Sequence, residues 1–499
     1  MLDDVTRKTI EQINSIYGRG SGNVKKAASV TTAAGLTAYD LQAPAKNLYP
    51  VLTPIRNKLP RTGGIGTATH WVQVSAIGNG AGYGAMGWVP EGQRAGKMSV
   101  TTSPKSASYV TLGTEISLSY EAFNAGRGFE DEKARNVIRG LQQLMLIEET
   151  AIIGGNNSLS LGTTTTPTST TVASTGAVLN TTYSCIAVAM TYEGYRNWIT
   201  SGAAIATGLV QQNVITGQDG NTYTLNGGYA IPSANKTQAV TTGNALVFSV
   251  VPMTGAFAYA WYVGVAGAEK LQSVTTVGTA TFASLTTTGQ TAASLAATDY
   301  SKNATAFDGF LTTAASGTGA YYNSLANGSK LTASGHGSIT EIDTMLQSMW
   351  DNYQVSPTEI YVNSQQQKDI TAGALSGGSN APLIRVVSDN ANNSSLQANQ
   401  VVASYLNPFV AGQPQVIPVM IHPTLPAGTI LGWSDDLPLQ YQDSNVPNVA
   451  EIKARQDYYE IDWPQVTREY RSGVYTEEVL TIYAPFALGV INNITPGLT

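Results

Sequence analysis

The chain has 499 residues, 27 of them Lys or Arg and 33 Asp or Glu, for a formal net charge of -6, with one cysteine, three histidines and 42% hydrophobic residues. That length allows two to four domains, and the apolar share fits a folded chain rather than a disordered one. No apolar run approaches the roughly 20 residues of a membrane span, and without a Lys/Arg surplus the chain is a poor reader of nucleic acid, although DNA could still be a neighbour.

The N-terminus, MLDDVTRKTIEQI, is acidic and amphipathic and lacks the basic region and apolar core of a secretory signal, so unaided secretion is not expected. Two β-rich segments follow, TATHWVQVSAI (67–77) and KMSVTTSPKSASYVTLGTEISLSY (97–120), on either side of a glycine-rich stretch. Ten residues of strand span about 33 Å, so an antiparallel pair of this kind reaches well beyond a compact body. Such an arm is marginal in isolation and implies a partner surface. Residues 129–153, FEDEKARNVIRGLQQLMLIEETAII, place Val137, Leu141, Leu144, Ile147 and Ala151 at helical spacing, with Asp131 and Glu132 in the first turn and Gly154-Gly155 as the stop. The spacing predicts a helix of about 37 Å.

Residues 161–300 then hold only seven charges, Glu193, Arg196, Asp219, Lys236, Glu269, Lys270 and Asp299, which marks them as a separate module. The module opens with TTTTPTSTTVASTG, read as a linker too polar to pack, and closes with TTTGQTAASLAATD. Between these lie alternating segments: Tyr183, Cys185, Ala187 and Ala189; Leu246, Phe248 and Val250; Phe257, Tyr259, Trp261 and Val263. Short strands separated by QDGN and PSAN turns predict an all-β sandwich of immunoglobulin size with Trp261 in its core. Cys185 has no disulfide partner and reads as a small buried hydrophobe. An independent module could be excised, leaving a core able to assemble.

Beyond it, Ser338-Ile-Thr-Glu341 forms a capping-box pattern ahead of Ile342, Met345, Leu346 and Met349, predicting a helix that ends near Tyr353. EIYVN (359–363), QVIPVMI (415–421) and TILGW (429–433) read as strands, and Ser376 to Gln400 as a long surface loop.

No pattern of catalytic residues stands out. Gly82-Tyr-Gly84-Ala-Met-Gly87 matches the dinucleotide-binding spacing, but Trp88-Val-Pro90 follows where a helix must begin, so it reads as a loop. There is no G-x-S-x-G; His336 sits in a glycine-bounded loop, and His422 reads as a strand-end side chain bonded locally. His70, His336 and His422 have no second ligand at metal spacing. Asp435-Asp436, Asp457 and Asp462 read as solvated turns and salt-bridging strands rather than metal or acid/base carboxylates. The eight sequons, at Asn156, Asn180, Asn235, Asn303, Asn327, Asn392, Asn393 and Asn493, are what a chain this rich in Asn, Ser and Thr produces by chance. Catalytic, cofactor-binding and metal residues are therefore expected to be none.

The order of elements carries more. YDLQAPAKNLYPVLTPIRNKLPR (39–61) leads into the two-stranded arm, the long helix ending LIEETAIIGGNN, then DGFLTTAA, SITEIDTMLQSMW, PTEIYVN and VLTIYAPFALGVINNI. This succession resembles the major capsid protein of tailed bacteriophages, the Hong Kong 97-type fold, over roughly residues 36–157 and 305–495. The resemblance implies an α+β chain: an N-terminal arm (1–60), an extended loop (61–120), a peripheral domain with its spine helix (121–160 and 440–499), an immunoglobulin-like insertion (161–304) and an axial domain (305–439). It implies hexamers and pentamers of the chain in an icosahedral head shell that encloses phage DNA without sequence-specific binding. Portal, scaffolding and decoration proteins would be its partners, with no membrane and no cofactor, in a virion assembled in the host bacterial cytoplasm. The spine helix begins too early to leave space for a leading scaffold segment, so scaffolding is expected from a separate protein unless the chain is a processed form. Lys97, Lys105 and Glu451 do not stand at a spacing that indicates cross-linking between subunits. An encapsulin-type nanocompartment shell and a tail or surface fibre protein with an adhesive immunoglobulin-like module are the alternatives; an unrecognised enzyme is a more distant one.

Overall fold

The computed structural model describes residue 8 and residues 50–79, 88–95, 98–127, 131–206, 210, 213–334, 337–376, 402–437 and 448–497. The chain divides into two units, 1–49 with 126–130 and 50–125 with 131–499. Most of the expected N-terminal arm, the glycine motif at 82–87, Lys97, His336 and the loop 377–400 lie outside the described residues.

In the second unit a long helix, Glu132–Gly154, packs against a four-stranded sheet ordered Arg61–Gly63, Ala450–Asp462, Glu469–Ile482, Val110–Ser119. The helix starts later than the spacing predicts because Asp131 caps it, its carboxylate accepting from Lys133 N and Ala134 N at 3.1 and 3.2 Å. Its buried stripe is Gly140, Leu144, Glu148 and Ile152, joined by Glu149 and Ile153. The apolar pattern placed Ile147 inward; it is exposed, and two glutamates take the core-facing positions instead. A periodicity count assigns every Glu to solvent and cannot see a partner supplied from elsewhere in the chain.

A second, mixed sheet has the order Tyr321–Ser324, Leu488–Asn492, Ile430–Trp433, Glu359–Val362, Gln415–Ile421, Ser404–Asn407. All three predicted segments are strands here. The C-terminal strand, within the 440–499 span assigned above to the peripheral domain, pairs in this sheet with elements of 305–439. The helix Thr340–Tyr353 buries Ile342, Met345, Leu346 and Met349, as its spacing predicts. Its capping box does not form: Ser338 Oγ donates to Ser334 O at 2.9 Å, while Glu341 accepts from Thr332 N at 2.9 Å. Both side chains close the short hairpin ahead of the helix (Ala333–Ser334 with Ser338–Ile339) instead of the first turn. The helix Ser364–Ser376 is not legible in the sequence, since SQQQKDITAGALS carries only a weak apolar stripe.

Besides a hairpin, Asn213–Thr216 with Thr222–Leu225, the low-charge segment forms two antiparallel sheets that share a core. One is Thr279–Phe282, Asn244–Ser249, Thr168–Ala173; the other is Lys270–Thr275, Ala258–Gly264, Thr182–Met190, Lys236–Ala239. Cys185, Ala187, Ala189, Leu246, Phe248, Val250, Tyr259, Trp261 and Val263 share that core, with Trp261 0% exposed. Two expectations fail. Part of the supposed linker, Thr168–Ala173, is a strand paired with Asn244–Ser249, because Thr is a good strand former and the ladder satisfies its backbone. A helix, Tyr192–Thr200, interrupts the all-β pattern, started by Thr191, whose hydroxyl accepts from Gly194 N at 3.2 Å. The segment is also bound into the body. Tyr192 and Phe257 belong to the main core with Ile152, Phe310 and Trp433. Asn492 Nδ2 reaches Ala256 O at 3.1 Å, and Gly278 N reaches Asn493 Oδ1 at 2.7 Å.

Candidate assembly surfaces and a buried polar anchor

The predicted two-stranded arm is present. Ala68–Asn79 runs antiparallel to Met98–Ser108, in register from Ala68↔Ser108 to Asn79↔Met98 with one shift between Val74 and Ala76. The segment 97–120 is two strands rather than one: the chain breaks at Tyr109, and Val110–Ser119 pairs with Glu469–Ile482 in the four-stranded sheet. Where the arm meets the body, Trp71 packs edge-on against Tyr483 with ring centroids 5.7 Å apart. From Pro60 to Arg139 no described side chain is buried, and Val72 (66%), Trp88 (81%) and Ile65 (89%) stand in solvent. A stretch with this much strand normally buries one face. This one leaves Val72 and Val100 open to a surface outside the chain's own body.

Just before the arm, residues 53–63 lie against the long helix and are held by its two buried glutamates. Asn57 N bonds Thr53 O and Leu59 N bonds Ile55 O, closing a short turn whose free N–H groups at Ile55 and Arg56 point to Glu149, at 3.0 and 2.7 Å. The carboxylate thus satisfies the open donors of a turn start, the favourable place for a negative charge. Glu149 also takes Nε2 of His422 at 2.6 Å. Glu148 receives Arg56 Nε at 2.6 Å, Arg61 Nη1 and the hydroxyl of Tyr458. Arg61 continues to Asp457 at 2.6 Å and Glu478 at 2.7 Å. Both guanidinium groups stack on the Tyr458 ring, at 5.3 and 4.8 Å from its centroid. Burial alone would lower the Arg61 pKa, but its bond to Asp457 and the charges of Glu148 and Glu478 raise it, so it stays charged.

No family model and no curated protein matches this sequence. Among solved structures, the capsid of a native GTA particle is similar at 9% identity and a TM-score of 0.39, covering 95% of this chain and 100% of that one. The capsid of Myoviridae phage XM1 is similar at 9% identity and 0.40, covering 94% and 100%. The SrpI encapsulin complex from Synechococcus elongatus is similar at 10% and 0.37, covering 94% and 96%. The likeness spans nearly the whole chain.

The residues weighed from the sequence are dispersed. His70 is exposed on the arm. His422 does bond locally, to Thr424, but its other nitrogen meets Glu149, 273 positions away, which sequence reading missed. Asp435 accepts the Thr358 hydroxyl at 2.8 Å, Asp462 pairs with Lys133 at 3.1 Å, and Asp457 joins the anchor. Glu451 pairs with Lys453 at 3.3 Å and accepts the Tyr483 hydroxyl. Cys185 is buried, which pushes its thiol pKa up. Asn156, Asn303 and Asn493 are buried with their amides bonded, so these sequons are structural. Among the described residues no three His, Cys, Asp or Glu side chains converge to hold a metal. The signal for the anchor was present to a degree: Leu144, Glu148 and Ile152 share one helical face, which places a carboxylate inside the apolar stripe.

Proposed function

We propose that this chain is a structural shell subunit, the major capsid protein of a tailed phage, which closes into an icosahedral head around DNA. The observation that carries the reading is the two-stranded arm, Ala68–Asn79 with Met98–Ser108, none of whose described side chains is buried. Surface of that kind gains its stability from neighbours, and many modest contacts repeated around a closed lattice become strong together. The order arm, long helix, inserted sheets, mixed sheet agrees with the succession that suggested the family. In this reading the extended loop expected at 61–120 is its two-stranded part, Ala68–Asn79 with Met98–Ser108, while Arg61–Gly63 and Val110–Ser119 belong to the four-stranded sheet; 132–154 is the spine helix and 305–439 with the last strand the axial domain. The immunoglobulin-like insertion is a rigid outer module, and portal, scaffolding and decoration proteins complete the particle.

Electron microscopy of the purified full-length chain, alone and with its phage's scaffolding functions, tests this. Closed shells of hexamers and pentamers that take up DNA are expected. Shells loaded with an enzyme would move the assignment to the nanocompartment class; trimers or rods would move it to a fibre.

A further inference from the structure

Among the described strands, unpaired edges of ten residues or more occur in one region of the chain. Val110–Ser119 is the last strand of the four-stranded sheet, paired with Glu469–Ile482 along its whole length without a shift in register. The two arm strands, Ala68–Asn79 and Met98–Ser108, pair with each other alone, and every other described edge strand has six residues or fewer. Natural sheets blunt a long edge with Pro, Lys or a bulge, and VTLGTEISLS has none of these. Its inward positions, Val110, Leu112, Thr114, Ile116 and Leu118, are only half-buried beneath the long helix. On that helix Gly140 rests on this strand, since a Cβ there would meet Ile116 Cδ1 at 2.5 Å. Ile147, two turns on and on the same face, is 37% exposed. The sheet therefore stops one strand short of covering the helix that lies over it.

We propose that the edge of Val110–Ser119 receives the strand Ala68–Asn79 of a second copy, so that the four-stranded sheet continues across the subunit boundary into the neighbour's arm. Resting on the shell-subunit reading, this pairing gives the arm its acceptor. A strand edge presents alternate N–H and C=O groups, which another extended strand satisfies residue by residue. Length restricts the donor to the arm, whose strands have 12 and 11 residues. Proline chooses between them. Pro104, opposite Val72, fits a sheet with its nitrogen turned outward, so the outer edge of Met98–Ser108 lacks a donor there. Its partner Val72 then also turns its N–H outward, and Ala68–Asn79 contains no proline, lysine or acid to interrupt that edge. The chain's own arm cannot serve. Tyr109 alone joins Met98–Ser108 to Val110–Ser119, and its N–H is held by Thr67 O at 3.1 Å at the foot of the other arm strand. One residue is too short to reverse the chain and lay the arm beside the strand that follows it.

Hydrogen–deuterium exchange of the full chain before and after assembly reads it out. On assembly about half of the amides of 110–119, those turned away from Glu469–Ile482, should gain protection, and alternate amides of 68–79 with them. Val72→Pro removes an outward N–H while sparing the arm's own ladder; it should keep the circular dichroism of the parent and lose shells in sedimentation. Ser106→Pro, two positions from Pro104 on the other arm strand, should assemble as the parent does. Shells in which 110–119 exchanges as before, protection of 110–119 without 68–79, or shells from Val72→Pro would each overturn the pairing and leave the shell reading intact. Loss of shells in Ser106→Pro as well would overturn the choice of strand. A parent chain that stays monomeric would overturn the shell reading and the pairing together.

Discussion

Nε2 of His422, at the end of the strand Gln415–Ile421, lies 2.6 Å from Oε1 of Glu149 in the long helix. The other ring nitrogen, Nδ1, lies 3.1 Å from Thr424 Oγ1 and 3.3 Å from Thr424 N. The imidazole thus bridges Thr424 to the carboxylate that also holds Ile55 N and Arg56 N. Three distant regions of the chain meet on one side chain. Removing it in Glu149→Ala leaves three donors, two of them buried, without an acceptor. At about 1–3 kcal/mol for each unmade bond, a loss of roughly 3 kcal/mol or more is expected in denaturant unfolding. A change well under 1 kcal/mol would mean that water takes over the carboxylate's place.

Where the long helix ends, the chain returning from the inserted sheets crosses it at backbone distance. A Cβ on Gly309 would meet Gly154 N at 2.6 Å and Ile152 O at 2.7 Å, so Gly309→Ala must push the crossing main chains away from each other. The cost should sit at or above the upper end of the roughly 1–3 kcal/mol of overpacking. Gly113→Ala is the comparison: its Cβ meets only the Tyr475 ring, at 2.2 Å, and that ring can swing away. It should cost less in thermal melts, along with the bond from Tyr475 to Glu115 at 2.8 Å.

Deletion of residues 78–96 removes the outer end of the arm and no buried side chain among those described. The variant should keep the circular dichroism and melting temperature of the parent and fail to form shells by microscopy and sedimentation. Normal shells from it would show that the arm is dispensable.

The inserted segment should not be removable without cost, contrary to what its composition suggests. Tyr192 and Phe257 contribute to the main core, and Tyr192 OH donates to Thr424 O at 3.2 Å. Tyr192→Ala should destabilise the body by about 3–5 kcal/mol, the range for emptying a large aromatic site. Excision of 161–300 should lower the melting temperature of what remains by more. An excised chain that melts like the parent would restore the independent-module reading.

Glu193, at the start of the helix Tyr192–Thr200, is pushed up to about 7 by burial, against the lowering effect of its bond from Asn303 at 2.6 Å. Its folded form holds the proton more tightly than the unfolded chain, so this group's contribution to stability is greatest below pH 4.5 and declines as pH rises toward 7. Glu193→Gln should flatten that section of the stability profile and be the more stable form at pH 8. Parallel profiles for the two proteins would remove Glu193 as the cause.

Local pattern revealed the elements that bury apolar faces on themselves. The stripe Ile342, Met345, Leu346, Met349 and the alternation around Trp261 both read correctly because neighbours three, four or two positions apart share a face. What stayed hidden depends on distance along the chain. Glu148 and Glu149 look like solvent-facing residues until Arg56, Arg61 and His422 are brought to them, and Ser338 looks like a cap until Ser334 takes its hydroxyl. The arm was the exception: the length of its two β-rich segments and the glycine-rich stretch between them are properties of the segment alone.

The strand Arg61–Gly63 pairs in parallel with Ile452–Ala454, and Arg61 needs Asp457 and Glu478 as well. A ribosome delivers the first partner of this ladder almost 400 positions before the second. Contacts of such separation form late, after the chain has closed a long loop. The segment that leads into the arm can meet Glu148 and Glu149 early, but it gains its strand partner only after residues 452–454 have been made. Under the shell-subunit proposal, a chain still short of these residues lacks the final setting of its arm, which would keep neighbouring nascent chains on one messenger from joining before each is finished.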